Sequence, residues 1–149
     1  MCTERIGDRR LQENLTTEIA IMRDMRHINI VGLYNTFENS KYIFLVLELC
    51  RGGDLSTFIK RSVGRRLDES IAQSFLRQLA DGLYFLSERN IIHRDLKPAN
   101  VLLSEPSEFA ILKLADFGFA KHLAEASLAH TQCGSPLYMV CSIVYYYYM

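Results

Sequence analysis

The stretch that decides the fold is Ile91-Ile92-His93-Arg94-Asp95-Leu96-Lys97-Pro98-Ala99-Asn100, an apolar start followed by a run of charged side chains. It cannot be a regular helix, because Pro98 lacks an amide hydrogen and its ring would clash with the preceding turn. Residues 101–103 and 111–115 are apolar runs, which we expect to form two short strands flanking a loop. The sequence therefore predicts a charged loop supported by strands and followed by Asp116-Phe117-Gly118.

Hydrophobic spacing predicts helices and a strand pair upstream of this loop. Residues 30–37 and 42–49 are rich in β-branched and aromatic side chains, and the polar turn between them favours an antiparallel pair. A short helix is expected to start at Asp54 or Ser56. Two amphipathic helices are expected from apolar residues three or four positions apart: Leu11, Leu15, Ile19, Met22 and Met25 in the first, and Ile71, Phe75, Leu79, Leu83 and Leu86, after an N-cap at Asp68, in the second.

Composition indicates one globular unit that does not bind nucleic acid. The 149 residues are 49% hydrophobic, and 17 basic side chains balance 17 acidic ones, so net charge gives no attraction to polyanions. The four cysteines form no Cys-x-x-Cys pair, which favours free thiols in a reducing, cytoplasmic compartment. No apolar run reaches the roughly 20 residues that span a bilayer. We predict one domain over residues 1–139 and a non-homologous aromatic tail over 140–149.

The stretch from His93 to Asn100 fits the pattern H-R-D-L-x-x-x-N of the protein kinase catalytic loop at every specified position. Asp116-Phe117-Gly118 follows sixteen residues after Asn100, in the order and at a distance typical of the kinase magnesium loop. This resemblance implies an α+β chain with a partial two-lobe protein kinase fold. The small lobe would hold an incomplete antiparallel sheet with helix C, and the large lobe its first helical part.

The resemblance also implies a serine/threonine protein kinase that uses ATP and Mg²⁺. Phosphoryl transfer requires positioning and charge neutralisation more than covalent chemistry. Asp95 is expected to accept the proton of a protein hydroxyl, and Lys97 to place its ammonium near the transferred phosphate. Asn100 and Asp116 supply the oxygen ligands that Mg²⁺ prefers. Lys97 at this point resembles serine/threonine rather than tyrosine kinases.

Several stretches, among them Gly52-Gly53-Asp54-Leu55-Ser56, residues 114–120 and residues 133–139, are similar to the unc-51-like, autophagy-initiating kinase family. The family implies an autophagy role, a protein substrate and autophagy adaptor proteins as partners. Asp54 either reaches the ribose or only caps the next helix. The remaining residues with implied roles are Glu18 as the helix-C glutamate, Leu47 as gatekeeper, Glu48 to Cys50 as the adenine-binding hinge, Leu102 as the adenine floor, Arg94 and Thr131 as a phosphate-binding arginine and activation-loop phosphosite, and Phe117 and Gly118 of the magnesium loop.

The sequence also departs from the family pattern. No Gly-rich loop precedes Gly52, the first lysine is Lys41, and residues 140–149 do not continue into Ala-Pro-Glu after Met139. We therefore expect a kinase domain truncated at both ends, and weak or absent activity from this chain alone. Two further interpretations stay open, a non-catalytic kinase-like interaction module and a non-functional fragment from an incomplete gene model.

Overall fold

The structure, a computed structural model, describes residues 2–4, 16, 19–39, 42–117 and 120–122, with the backbone alone at 2–4 and 121–122. Its strands and helices run in chain order β1 (Cys2–Glu4), a helix described at residues 19–24, β2 (Leu33–Glu38), β3 (Tyr42–Leu47), β4 (Gly53–Asp54), α1 (Leu55–Arg61), α2 (Glu69–Ser87), β5 (Ile91–Ile92), β6 (Val101–Leu103), β7 (Leu112–Leu114) and β8 (Lys121–His122). Single 3-10 turns lie at Val63–Arg65 and Pro98–Asn100.

The first sheet has the order β1-β3-β2, and both pairings are antiparallel. The predicted strand pair is confirmed, with Phe37 opposite Phe44. The predicted start at Ile30 was wrong. Ile30 instead forms a parallel bridge with Leu114, and the amide of Val31 donates to the Leu114 carbonyl at 2.9 Å. Residues 30 and 31 thus connect the first sheet to a strand much later in the chain.

Helix α2 matches the predicted long helix. Phe75 and Leu86 are buried, and Ile71, Leu79 and Leu83 pack against the core, as their spacing indicates. Asp68 occupies the N-cap position without a side-chain capping bond. At α1 the cap is Asp54, whose carboxylate accepts from the Thr57 amide and hydroxyl, each at 2.8 Å. The capping role of Asp54 is therefore observed, and its ribose role stays a prediction.

Strand β7 is the centre of the core. It pairs with β6 in the second sheet, of order β4-β6-β7, and all three of its residues are buried. Asn29 reaches it from the N-terminal half, since its side-chain amide donates to the Leu112 carbonyl at 3.0 Å and to Gln78 at 3.2 Å. Gln78 of α2 in turn accepts from the Leu112 amide at 2.9 Å. A buried polar network therefore joins β7 to elements from both halves of the chain.

Two findings bear on the remaining structural predictions. Within the described residues, no helix is both long and apolar enough to cross a membrane. The expected start of the first helix near Leu11 and the tail at 140–149 lie outside the described residues, so the domain boundary after Met139 stays a prediction.

The close packing of Gly52 gives a stability prediction. A Cβ added there would lie 2.3 Å from the Glu105 carbonyl oxygen and 2.6 Å from the Leu103 Cβ, so backbone would have to move. We expect Gly52→Ala to lower the free energy of unfolding by about 1–3 kcal/mol, the usual cost of overpacking. Gly32→Ala is the control, since its added Cβ meets only ordinary contacts at 3.5 Å and beyond. Urea unfolding of both variants measures the difference, and equal stabilities would contradict the prediction.

Candidate active site

The loop after β5 places the three predicted catalytic residues around one carboxylate. Asp95 is only 4% exposed. Its Oδ2 accepts from the Lys97 ammonium at 2.6 Å and from the Asn100 side-chain amide at 2.9 Å. The same Asn100 nitrogen donates to the Asp95 backbone carbonyl at 2.9 Å. Asp95, Lys97 and Asn100 thus form one hydrogen-bonded unit.

Local backbone geometry explains why these residues meet. Residues 93–97 are irregular, and Pro98 then starts the 3-10 turn that ends at Asn100, a position where its missing amide hydrogen costs nothing. The turn brings Asn100 back beneath Asp95 just before β6 begins. The Lys97 side chain is 26% exposed and that of Asp95 only 3%. The unit therefore combines a held, buried carboxylate with a cation that reaches solvent.

His93 connects this loop to the predicted magnesium loop. Its ring is buried, lies 5.1 Å from the Phe117 ring, and bonds to the Ala115 carbonyl through Nε2 at 3.0 Å. Its Nδ1 receives the Asp95 amide at 3.4 Å. A carbonyl only accepts and an amide only donates, so these partners assign the neutral ring with its proton on Nε2.

Burial lowers the pKa of His93 below its ordinary value. The bond to the Ala115 carbonyl and the charges of Asp116 and Asp95 act in the opposite direction, and they do not outweigh burial. Both carboxylates therefore lie close enough to His93 for their charges to act on its ring. A neutral His93 suits a structural link between the two loops, because a charged ring would lack a second acceptor.

The predicted magnesium loop, which starts at Asp116, is held in place through the residue before it, Ala115. The Ala115 amide donates to the Asn100 carbonyl at 2.9 Å, so Ala115 is bonded to the catalytic loop through both of its backbone groups. The next residue, Asp116, is exposed and has a φ of 64°, in the left-handed region that Asp tolerates better than most side chains. Phe117 is buried and anchors the segment. The structure thus bonds the residue before Asp116 to the backbone of Asn100.

The donors present fit a magnesium ion that arrives with a nucleotide. The amide nitrogen of Asn100 is committed to Asp95, which leaves its Oδ1 for a cation, and Asp116 adds an exposed carboxylate. Such oxygen ligands suit Mg²⁺, which usually keeps water and phosphate oxygens in its octahedron. The part of the chain that the structure describes holds no cluster of three or more His, Cys, Asp or Glu able to bind a metal. Phosphate oxygens would therefore complete the site.

Two of the predicted nucleotide-binding residues, Asp54 and Leu102, lie in the second sheet, and the others lie before it in the chain. The segment after Leu47 runs from Glu48 to β4, and the Gly52 amide donates to the Leu103 carbonyl at 2.9 Å. Asp54 lies opposite Leu102 in the β4–β6 pair. Cys50 carries a free thiol, and burial together with the nearby Glu48 charge raises its pKa. Asp54 and Leu102 therefore lie side by side in the second sheet, and residues 48–52 connect this sheet to Leu47 at the end of β3.

One residue of this region was missed by sequence reasoning. Lys113 is buried in β7 and its Nζ lies 2.6 Å from Glu48 Oε1. The available signal was a lysine within an apolar run predicted to be a strand, because a buried lysine requires a partner.

Three predicted residues, Glu18, Gly118 and Thr131, lie outside the described residues, and Arg94 is half-buried with a φ of 65°.

The neutral state of His93 gives a pH prediction. Since its folded-state pKa is lowered, the unfolded chain takes up the proton first as pH falls below about 6.5, and stability present above that pH is lost. The free energy of unfolding should therefore fall between pH 7.5 and 5.5, by at most about 1.4 kcal/mol per pH unit from this group. His93→Phe should remove that contribution.

Urea unfolding across this pH range measures the slope. His27→Gln serves as the matched control, since His27 is a partly buried histidine whose pKa is likewise lowered, first by burial. This variant should retain the His93 contribution. A slope in His93→Phe equal to that of the wild type would show that His93 does not carry the effect.

A cavity of about 550 Å³ lies elsewhere, between residues 20–25 and Ile91, and is bordered by Asp24 and Arg89. None of the predicted catalytic residues borders it. The chemistry of this chain is therefore assigned from the bonded unit around Asp95 rather than from this cavity.

Comparison with known proteins agrees with this geometry. A family model described as the protein kinase domain matches residues 2–148. The chain is 46% identical to the serine/threonine-protein kinase atg1 of Dictyostelium discoideum, over 95% of this chain and 22% of that protein. It is 47% identical to the serine/threonine-protein kinase ATG1a of Arabidopsis thaliana, over 91% of this chain and 21% of that protein. It is 51% identical to the serine/threonine-protein kinase ULK3 of Homo sapiens, over 89% of this chain and 27% of that protein.

The chain thus spans between 21% and 27% of the length of these curated relatives. Its strands, helix α2 and the two loops around Asp95 and Asp116 form the α+β arrangement of a partial two-lobe kinase fold. On these grounds the chain belongs to the protein kinase domain family, and its relatives are serine/threonine-protein kinases.

Proposed function

We propose that this chain is the middle portion of a serine/threonine protein kinase domain, a domain that transfers the γ-phosphate of ATP to protein hydroxyl groups with Mg²⁺. The observation that carries the proposal is the buried Asp95 carboxylate, bonded through one oxygen to both Lys97 and Asn100. An ionised carboxylate only accepts hydrogen bonds, so Asp95 is suited to receive a substrate hydroxyl. Asp95 would orient that oxygen toward the phosphorus.

The other residues of the unit supply charge and alignment. Lys97 already contacts Asp95 and reaches solvent, so its ammonium can shift to a phosphate oxygen that approaches the same carboxylate. Asn100 fixes Asp95 through two bonds, and its remaining side-chain oxygen and the Asp116 carboxylate are proposed as the metal ligands. When bound, Mg²⁺ neutralises phosphate charge that develops during transfer. Positioning by these groups is the main source of rate in this chemistry.

The adenine and ribose of ATP are assigned to the region bordered by residues 47–50, Asp54 and Leu102. This placement rests on the family resemblance and on the pairing that sets Asp54 opposite Leu102. Glu18 as helix-C glutamate, Leu47 as gatekeeper, and Phe117 with Gly118 in the magnesium loop remain part of the same proposal. We assign the protein to the cytoplasm and to autophagy initiation, with autophagy adaptor proteins as partners, because its unc-51-like motifs indicate this role.

A non-catalytic interaction module is the second candidate, and one observation favours it. Strand β1, one of the two strands that pair with β3, reads Cys2-Thr3-Glu4 and bears no lysine, and no Gly-rich loop precedes Gly52 in the sequence. The groups that fix the α- and β-phosphates in kinases are therefore missing from this sequence. We expect the 149-residue chain to transfer phosphate at trace rates or not at all.

Asp95→Asn tests the catalytic assignment. The substitution keeps the size of the side chain but removes the charge, so any phosphate transfer by the chain should fall at least about 100-fold. Transfer is measured with radiolabelled ATP and a generic basic protein, and binding of magnesium-ADP is measured in parallel. Asp81→Asn, an exposed carboxylate on α2, is the matched control and should behave as the wild type. Robust transfer that survives in Asp95→Asn would overturn the assignment.

Thr131 is the proposed regulatory residue, although it lies outside the described residues. A phosphate at Thr131 adds nearly two negative charges, and charge-assisted bonds to Arg94 would order the loop around it. In the full-length natural protein, Thr131→Ala should lower activity, whereas Thr131→Ser should retain it. Mass spectrometry of the active protein decides whether the site is modified, and an unmodified Thr131 in the fully active form would contradict the proposal.

A further inference from the structure

A buried ion pair joins the hinge segment to the strand that leads to Asp116. Lys113 lies in the middle of β7 and is 7% exposed. Its Nζ is 2.6 Å from Glu48 Oε1, and the Glu48 side chain is 24% exposed. A lysine is almost never this buried without a partner, because removing its charge from water is costly. The position of Glu48 is therefore coupled to the position of β7.

The second oxygen of Glu48 extends this coupling. Glu48 Oε2 accepts from the Gly32 amide at 3.1 Å, and the Glu48 amide donates to the Gly32 carbonyl at 2.8 Å. The preceding residue, Val31, donates to the Leu114 carbonyl at 2.9 Å. A closed ring of bonds thus runs from Lys113 through Glu48, Gly32 and Val31 to Leu114. It fixes the hinge, the segment before β2 and β7 against one another.

The ring occupies the carboxylate and the amide of Glu48, so that a ligand at the hinge would bind through the remaining backbone groups. Both carboxylate oxygens and the amide of Glu48 are occupied. Within the described residues, neither the Glu48 carbonyl nor the Cys50 amide has a hydrogen-bond partner. A free acceptor and a free donor two residues apart are complementary to the donor and acceptor on one edge of a purine base. How well they fit depends on where the hinge backbone stands.

Lys113 also belongs to the row of residues that borders the proposed nucleotide site. It lies opposite Leu102 in the β6–β7 pair, and Leu102 lies opposite Asp54 in the β4–β6 pair. Side chains directly opposite each other in antiparallel strands share one face of the sheet. Lys113 is also three residues before Asp116 in sequence. The ion pair therefore connects the base end of the site to its metal end.

We propose that the Glu48–Lys113 pair is a positioning device that sets the hinge backbone at the distance from β6 and β7 needed to hold a purine base. The proposal rests on the proposed function, since it assumes that the region binds a nucleotide. Glu48 and Lys113 are positioning residues that act through the hinge backbone. Their loss should weaken binding of the base and spare binding of the phosphates, which depends on Asn100, Asp116 and Mg²⁺.

The test uses the complete 149-residue chain and a variant in which both charges are removed. A single substitution would leave the other charge unpaired and risks unfolding the chain, whereas replacing both partners of a buried pair is often tolerated. The double variant Glu48→Gln/Lys113→Met keeps side-chain volumes similar. Lys113→Arg is the conservative variant, because arginine retains the charge that pairs with Glu48. Lys60→Met, at an exposed lysine in the last turn of α1, is the matched control.

Two ligands separate the two ends of the site. Adenosine reports on the base, and inorganic tripolyphosphate with Mg²⁺ reports on the phosphates. Binding of each is measured by calorimetric titration, and circular dichroism melting verifies that each variant is folded. We expect the double variant to lose roughly tenfold or more in adenosine affinity, about 1.4 kcal/mol, with tripolyphosphate affinity within about twofold of wild type. Lys113→Arg should retain most adenosine affinity, and Lys60→Met all of it.

The outcomes distinguish this inference from the function on which it rests. Adenosine affinity unchanged in a folded double variant would overturn the positioning role and leave the proposed function intact. An equal loss for adenosine and tripolyphosphate would also overturn it, because that result indicates general loosening. Failure of the wild-type chain to bind either ligand would overturn the proposed function and the inference with it.

Discussion

The structure depends on β7, a three-residue strand with no exposed face. Its backbone bonds β6 on one side and the segment at Asn29 and Val31 on the other, so it is the strand through which early and late parts of the chain meet. Helix α2 packs against it so closely that a Cβ added at Gly82 would lie 3.0 Å from a Leu114 methyl group. Burial on every side leaves unpaired backbone groups no access to water, which is why these bonds must all be made.

The candidate active site is an extension of this strand. Asp116 follows β7 by two residues, and Ala115 between them is bonded to the catalytic loop by both its amide and its carbonyl. His93 completes the link only in its neutral form, with the proton on Nε2. Because short backbone bonds fix both loops to one core strand, the carboxylates of Asp95 and Asp116 do not depend on long side chains for their relative position. Such rigidity favours phosphoryl transfer, where alignment contributes much of the rate.

Much of this arrangement could be predicted because its signals are contiguous in sequence. The catalytic loop, α2 and the strands around residues 101–103 and 112–114 each carry their pattern within a short window. The error at Ile30 had a physical cause. An apolar residue just before a strand has the same sequence pattern whether it continues that strand or pairs with a distant one, as Ile30 does with Leu114. The Glu48–Lys113 pair could not be predicted for a similar reason. Its partners are distant in sequence, and only the fold shows that the hinge passes beside β7.

Binding and catalysis are supported to different degrees by this chain. Several residues proposed to bind the base, the ribose and the metal are held by backbone pairing and buried contacts within the described residues. The groups that kinases use to hold the α- and β-phosphates are a Gly-rich loop and a lysine, and this sequence contains neither before Glu18. An ordered carboxylate accelerates transfer only when the phosphorus is held in line with the hydroxyl. Nucleotide binding by this 149-residue chain would therefore not by itself imply phosphate transfer by the same chain.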